Sequence, residues 1–116
     1  MPDFDSAARS IAPVALQDDI ELRAKIFAAL SDPTRLRVIE LLSATDELSC
    51  SEMANRLGIS LALFSHHYKT LAEAGLLLTR KEGQTKYNSL NRELLMQCFD
   101  CVAQHGLGSH EFANRK

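Results

Sequence analysis

Two groups of residues in this 116-residue chain have types and spacings that can do chemistry. The first is Cys98 and Cys101, three positions apart, with Cys50 as a third thiol. On a helix this spacing puts both sulfurs on one face, where they can share a soft ion or approach a disulfide. Three readings stand for the pair: small apolar packing residues, ligands for a thiophilic metal or trivalent arsenic with a third ligand from Cys50 or another subunit, and a dithiol sensing oxidants or reactive sulfur. The second group is Ser60, Ser65, His66 and Lys69. Hydroxyl, imidazole and ammonium groups on the outward side of one helix are suited to phosphates and base edges in a DNA major groove. His66 and His67 are adjacent, about 100° apart around a helix, and do not form a chelating pair.

No phosphate loop, paired carboxylates or nucleophile–base pair accompanies these groups, so an enzyme is not expected. Hydrophobic residues make up 46% of the chain, enough for one compact domain. No apolar run approaches the roughly 20 residues that span a bilayer, and the acidic start Met-Pro-Asp-Phe-Asp is unlike a secretory signal, so a cytoplasmic protein without a membrane partner is expected. The formal net charge is -2, but its distribution is uneven. Between Arg56 and Arg92 six basic residues face two acidic ones, whereas residues 1–55 carry five basic and ten acidic residues. The cationic excess therefore coincides with the second chemical group and the two dozen or so residues C-terminal to it.

The elements that would position these residues can be read in order. Residues 1–17, with Pro2 and Pro13, lack periodicity and are expected to form a flexible arm. A first helix from Asp18 to Leu30 carries a stripe of Ile20, Ala24, Phe27 and Leu30. Ser31-Asp32-Pro33 caps a second, from Pro33 to Ser43, whose apolar face is Leu36, Val38, Ile39, Leu41 and Leu42, with Arg35 and Arg37 projecting elsewhere. Ala44 to Leu48 reads as a polar connection. Ser49 and Glu52 then fit a capping box for a third helix, Cys50 to Leu57.

Gly58 can end that helix, and Ser60 can cap the next, in which Phe64, Tyr68 and Leu71 face inward and His67 packs at the hairpin edge. Gly75 stops it. Leu76–Lys81 and Thr85–Leu90 read as strands around the turn Glu82-Gly83-Gln84. Asn91 caps a last helix to Gln104, with Leu94, Leu95, Cys98, Cys101 and Val102 as its apolar face. Gly106 and Gly108 are expected to break it, leaving 106–116 as a loose tail around a domain of residues 18–105. The fold class is mainly α with a small β-hairpin, in the order of a winged helix-turn-helix.

With these motifs in place, the chain resembles the arsenical-resistance and metallothionein repressor family, ArsR/SmtB, from about Asp18 to Gln104. The resemblance rests on Ala28-Ala29-Leu30-Ser31-Asp32-Pro33-Thr34-Arg35-Leu36-Arg37, Leu57-Gly58-Ile59-Ser60, Ser65-His66-His67 with Leu71, Ala74-Gly75-Leu76, and Lys81-Glu82-Gly83 with Tyr87. It implies a homodimer through the first and last helices and a repressor on a palindromic double-stranded DNA operator, released by an effector. The DNA contacts would come from Ser60, Leu61, Leu63, Ser65, His66 and Lys69, and from Arg80, Lys81, Gln84 and Lys86 on the wing.

The sequence departs from the family pattern in several places. Leu61, Ala62 and Leu63 are apolar where polar residues are common, which favours thymine methyls over hydrogen-bonded readout. Gln84 replaces a frequent arginine, whose charge Lys86, Lys81 or Arg80 would supply. The family's thiolate motif on the third helix is here Ser49-Cys50-Ser51-Glu52, and its last-helix ligands align with Arg92, Leu94, His105 and Gly108, so neither metal site carries over. A thiolate-bound metal or metalloid ion as effector would have to use Cys98, Cys101 and Cys50. The alternatives are an effector-independent DNA-binding regulator with structural cysteines, or a winged-helix protein-interaction module.

Overall fold

The computed structural model describes residues 19–107. The expected N-terminal arm and most of the expected C-terminal tail lie outside these residues. Among the described residues, five α-helices and a three-stranded antiparallel sheet come in the order α1 (Ile20–Leu30), α2 (Pro33–Ser43), β1 (Leu48–Ser49), α3 (Cys50–Leu57), α4 (Leu61–Glu73), β2 (Leu77–Glu82), β3 (Thr85–Leu90) and α5 (Arg92–Val102). The helix-turn-helix is α3 and α4, and β2 and β3 form the wing.

Each α-helix among the described residues begins on a side-chain cap, which accounts for the sharp boundaries. Asp19, Asp32, Ser49, Ser60 and Asn91 each accept a hydrogen bond from a backbone N–H in the first turn they precede. At α3 the capping box is complete, with Ser49 N–H donating to Glu52 and Glu52 N–H donating to Ser49 Oγ. Between α3 and α4, Gly58 adopts φ 69° while Ile59 N–H reaches back to the Ala54 carbonyl. This left-handed residue closes one helix and aims the chain into the next.

The core is continuous from Ile26 through Val38, Leu42, Met53, Phe64, Leu71 and Leu76 to Leu94 and Cys98. On α1 the inward face is Leu22, Ile26, Ala29 and Leu30 with Phe27 packed beside it, so Phe27 and Leu30 of the expected stripe meet the core and its other two members do not. Ile20 and Ala24 are exposed, because they lie roughly 120° and 160° round the helix from Ile26. Leu36 is likewise exposed, on the side of α2 away from Val38.

The expected polar connection before α3 contains a strand, β1, that the sequence does not signal. Leu48 pairs with Asn88 and Ser49 with Tyr87, so the sheet order is β1-β3-β2. Two residues are too few to show alternation, and only the pairing with β3 defines this strand. The wing register runs from Leu77 opposite Leu90 to Glu82 opposite Thr85, around the two-residue turn Gly83-Gln84. Gly83 has φ 62° at the first central position, as a type II′ hairpin requires. Past α5, the chain continues as a π-helical turn, Ala103–Leu107, so Gly106 does not break it. Among the described residues no helix is long and apolar enough to cross a membrane.

Candidate nucleic-acid interface

Recognition helix α4 buries Phe64, His67 and Leu71 and exposes Leu61, Ala62, Leu63, Ser65, His66 and Lys69. Ser60 is also exposed, although its hydroxyl oxygen accepts the Leu63 N–H at 3.0 Å and is occupied as the cap. At about 100° per residue, Ala62, Ser65, His66 and Lys69 occupy the outward centre and the two leucines its borders.

His67 faces α2, not the edge of the hairpin. Arg35 Nη1 donates to His67 Nδ1 at 3.2 Å and Arg35 Nε donates to the Ala29 carbonyl at 2.6 Å. Because guanidinium only donates, Nδ1 is the accepting nitrogen and the ring proton lies on Nε2. Asp32 Oδ2 is 3.8 Å from the same nitrogen, too far to compete with that bond. Asp32 instead accepts the Arg35 N–H, the main reason its carboxyl lies below the usual aspartate range. Arg35 thus joins the end of α1, the start of α2 and the inner face of α4, instead of projecting away from the core as expected.

A second polar chain joins α4 to the wing. Asn88 on β3 is fully buried, donates to the Leu48 carbonyl at 3.4 Å and to Cys50 Sγ at 3.3 Å, and accepts from Thr79 Oγ1 at 3.1 Å. Thr79 spends its one proton on Asn88, so the Tyr68 hydroxyl, 2.9 Å away, is the donor to Thr79. Lys86 Nζ stands 5.9 Å from the Tyr68 ring centre. Recognition helix and wing are therefore registered to each other through Tyr68. No sequence pattern signals this relay, because Thr79 and Asn88 meet only across paired strands.

The basic excess divides into two roles. Arg92 Nη2 donates to the carbonyls of Leu42, Ser43 and Thr45, closing the end of α2. Arg80 donates to Glu47 through Nε and Nη2, both at 2.9 Å, and to Glu82 through Nη1 at 2.8 Å, and it lies over the Tyr87 ring at 4.8 Å. Glu47 is held below the ordinary glutamate range chiefly by this hydrogen bonding. Arg80, expected as a DNA contact, is occupied within the fold. Lys69, Lys81, Lys86 and Gln84 remain exposed, with no hydrogen bond or ion pair among the described residues.

Cys98 and Cys101 are both buried on the inner side of α5, and all three cysteines are free thiols. Burial pushes the Cys98 thiol up, against a smaller opposing pull from Arg23. Cys50 is engaged by Asn88 on the sheet side of α3. Among the described residues no three His, Cys, Asp or Glu side chains gather as a metal site. One chain's described residues therefore offer a cation two thiols at most, with a guanidinium nearby.

Comparison with known proteins agrees with the fold. A helix-turn-helix domain family model matches residues 30–80. The chain is 47% identical over 78 residues to the HTH-type transcriptional regulator YceK of Bacillus subtilis, covering 66% of this chain and 78% of the relative. It is 36% identical over 101 residues to the cadmium resistance transcriptional regulatory protein CadC homolog of Staphylococcus aureus, covering 87% and 83%. A homodimeric winged helix-turn-helix DNA-binding domain from Mycobacterium bovis superimposes with a TM-score of 0.62 at 26% identity, over 76% of this chain and 83% of that one. With the capped helix-turn-helix, the wing and this similarity along most of its length, the chain belongs to the ArsR/SmtB family of winged helix-turn-helix DNA-binding transcriptional regulators.

Proposed function

We propose that this regulator acts as a homodimeric repressor on a palindromic operator, with α4 of each subunit in a major groove and Lys81, Gln84 and Lys86 of each wing on the flanking backbone. One observation supports the dimer most directly. Ile20 and Met96 are 66% and 60% exposed, and with Phe99 and Val102 they make an outward apolar surface on the first and last helices. Phe27 and Phe99 meet edge to face at 5.7 Å and bind those helices into one unit. A surface of this kind is costly in water, and a second copy of the chain would cover it symmetrically. Sedimentation of the full chain tests this. A dimer is expected for the wild type, and Ile20→Glu with Met96→Glu should give a folded monomer with lost operator affinity. A wild-type monomer bound to its operator would overturn it.

For release, the cysteine pair on α5 is the proposed sensor. Burial keeps the Cys98 thiol protonated against the smaller pull of Arg23, so either oxidation to a disulfide or metal binding at this pair requires the thiols to become exposed. A metal would need further ligands from the partner subunit. Native mass spectrometry and operator release with zinc, cadmium, arsenite and a disulfide oxidant separate the two. Cys98→Ser with Cys101→Ser should abolish the response, and an unchanged response would exclude the pair.

A further inference from the structure

Leu61 and Leu63 are 50% and 44% exposed in the first turn of α4, with the exposed methyl of Ala62 between them. Large apolar side chains in this position have no role in the core. The one hydroxyl at this end of the helix, Ser60, is occupied as the cap. From Leu61 to Phe64 the helix tip offers no side-chain donor or acceptor, and the polar groups Ser65, His66 and Lys69 begin one turn later. The reading face therefore has two zones, an apolar tip and a polar body.

In a helix-turn-helix the N-terminal residues of the second helix approach the base edges. The only apolar group that a base pair presents in the major groove is the thymine C5 methyl. Any other edge placed against the leucines would lose water without gaining a hydrogen bond, so an apolar tip selects thymine and also rejects the other bases. Resting on the DNA-binding reading above, we infer that Leu61 and Leu63 are specificity-determining residues that read thymine methyls within each operator half-site, while Ser65, His66 and Lys69 supply the polar contacts behind them.

The experiment uses the full chain and a duplex selected from a randomised pool. Each thymine is replaced singly by deoxyuridine, which removes one methyl and nothing else. Loss of affinity of about fourfold per contacted methyl is expected at one or more positions in each half-site. The same positions should become indifferent to the methyl in Leu61→Ala or Leu63→Ala, whose exposed sites leave the core intact. Two results would overturn the inference: deoxyuridine tolerated at every thymine, or a methyl dependence that survives unchanged in both leucine variants. Failure of the wild-type protein to select any duplex would instead overturn the DNA-binding reading itself, and this inference with it.

Discussion

The guanidinium of Arg80 grips the carboxylate of Glu47 with two 2.9 Å hydrogen bonds that reach across the wing. Arg80 pairs with Tyr87 in the β2–β3 register, Tyr87 pairs with Ser49 in β3–β1, and Glu47 leads into β1. One side chain therefore spans all three strands and rests on the ring of the middle one. Both partners are partly exposed, so the pair adds little to stability, but its forked geometry fixes direction.

Arg80 should accordingly behave as a strut rather than a phosphate contact. Arg80→Gln and Glu47→Gln should weaken operator affinity to similar extents, and the double variant should be no worse than either. The salt dependence of binding should stay unchanged in all three. Lys69→Gln or Lys81→Gln should instead reduce the magnitude of the slope of log affinity against log salt by about 1.8, one lost phosphate contact in each subunit of the dimer. A shallower slope in Arg80→Gln would show that the guanidinium leaves Glu47 for DNA.

Asn88, fully buried, joins three groups, the Leu48 carbonyl, Cys50 Sγ and Thr79 Oγ1. Asn88→Ala would strip a partner from Thr79 and from the Leu48 carbonyl and leave a void, so a loss of roughly 2–3 kcal/mol is expected in urea unfolding. Asn88→Asp should be at least as damaging, because it places a carboxylate where the amide now donates. A loss below about 0.5 kcal/mol would mean that water replaces the relay.

Gly58 gives a purely conformational test. A β-carbon there would meet no atom within 4 Å, so Gly58→Ala costs only the left-handed backbone, about 1 kcal/mol. For a domain of this size that is a fall in melting temperature of roughly 4–8 °C. The variant should bind its operator normally once folded.

Acid should weaken the fold through three carboxylates. Asp32 and Glu52 lie below their ordinary range, each mainly through hydrogen bonding from backbone N–H groups, and Glu47 through Arg80. A lowered pKa in the folded state stabilises fully above the ordinary carboxylate range. That stabilisation is lost as pH falls through that range to the lowered folded values. Unfolding free energy measured from neutral to acidic pH should fall over this window, and Glu52→Gln should flatten the fall. Unchanged steepness in that variant would place the acid sensitivity elsewhere.

The sequence alone determined the helices, the wing and the helix-turn-helix. Caps, stop glycines and the Gly83 turn are local signals, decided by backbone groups within a few residues. Phe64 and Leu71 were legible as core, and Ser65, His66 and Lys69 as an outward face, because helical period is a local property too. The inward face of α1 was legible only in part: Phe27 and Leu30 meet the core as their spacing suggests, but Ile20 and Ile26 are equally apolar and only the packing partner chooses between them. Nor were β1, the Asn88 relay, the Arg35–His67 bond or the Arg80–Glu47 strut, which join residues 32 to 40 positions apart at their longest spans. Tertiary structure decided which cations are bonded within the fold and which stay exposed, because charge in a sequence has a position but no partner until the chain closes around it.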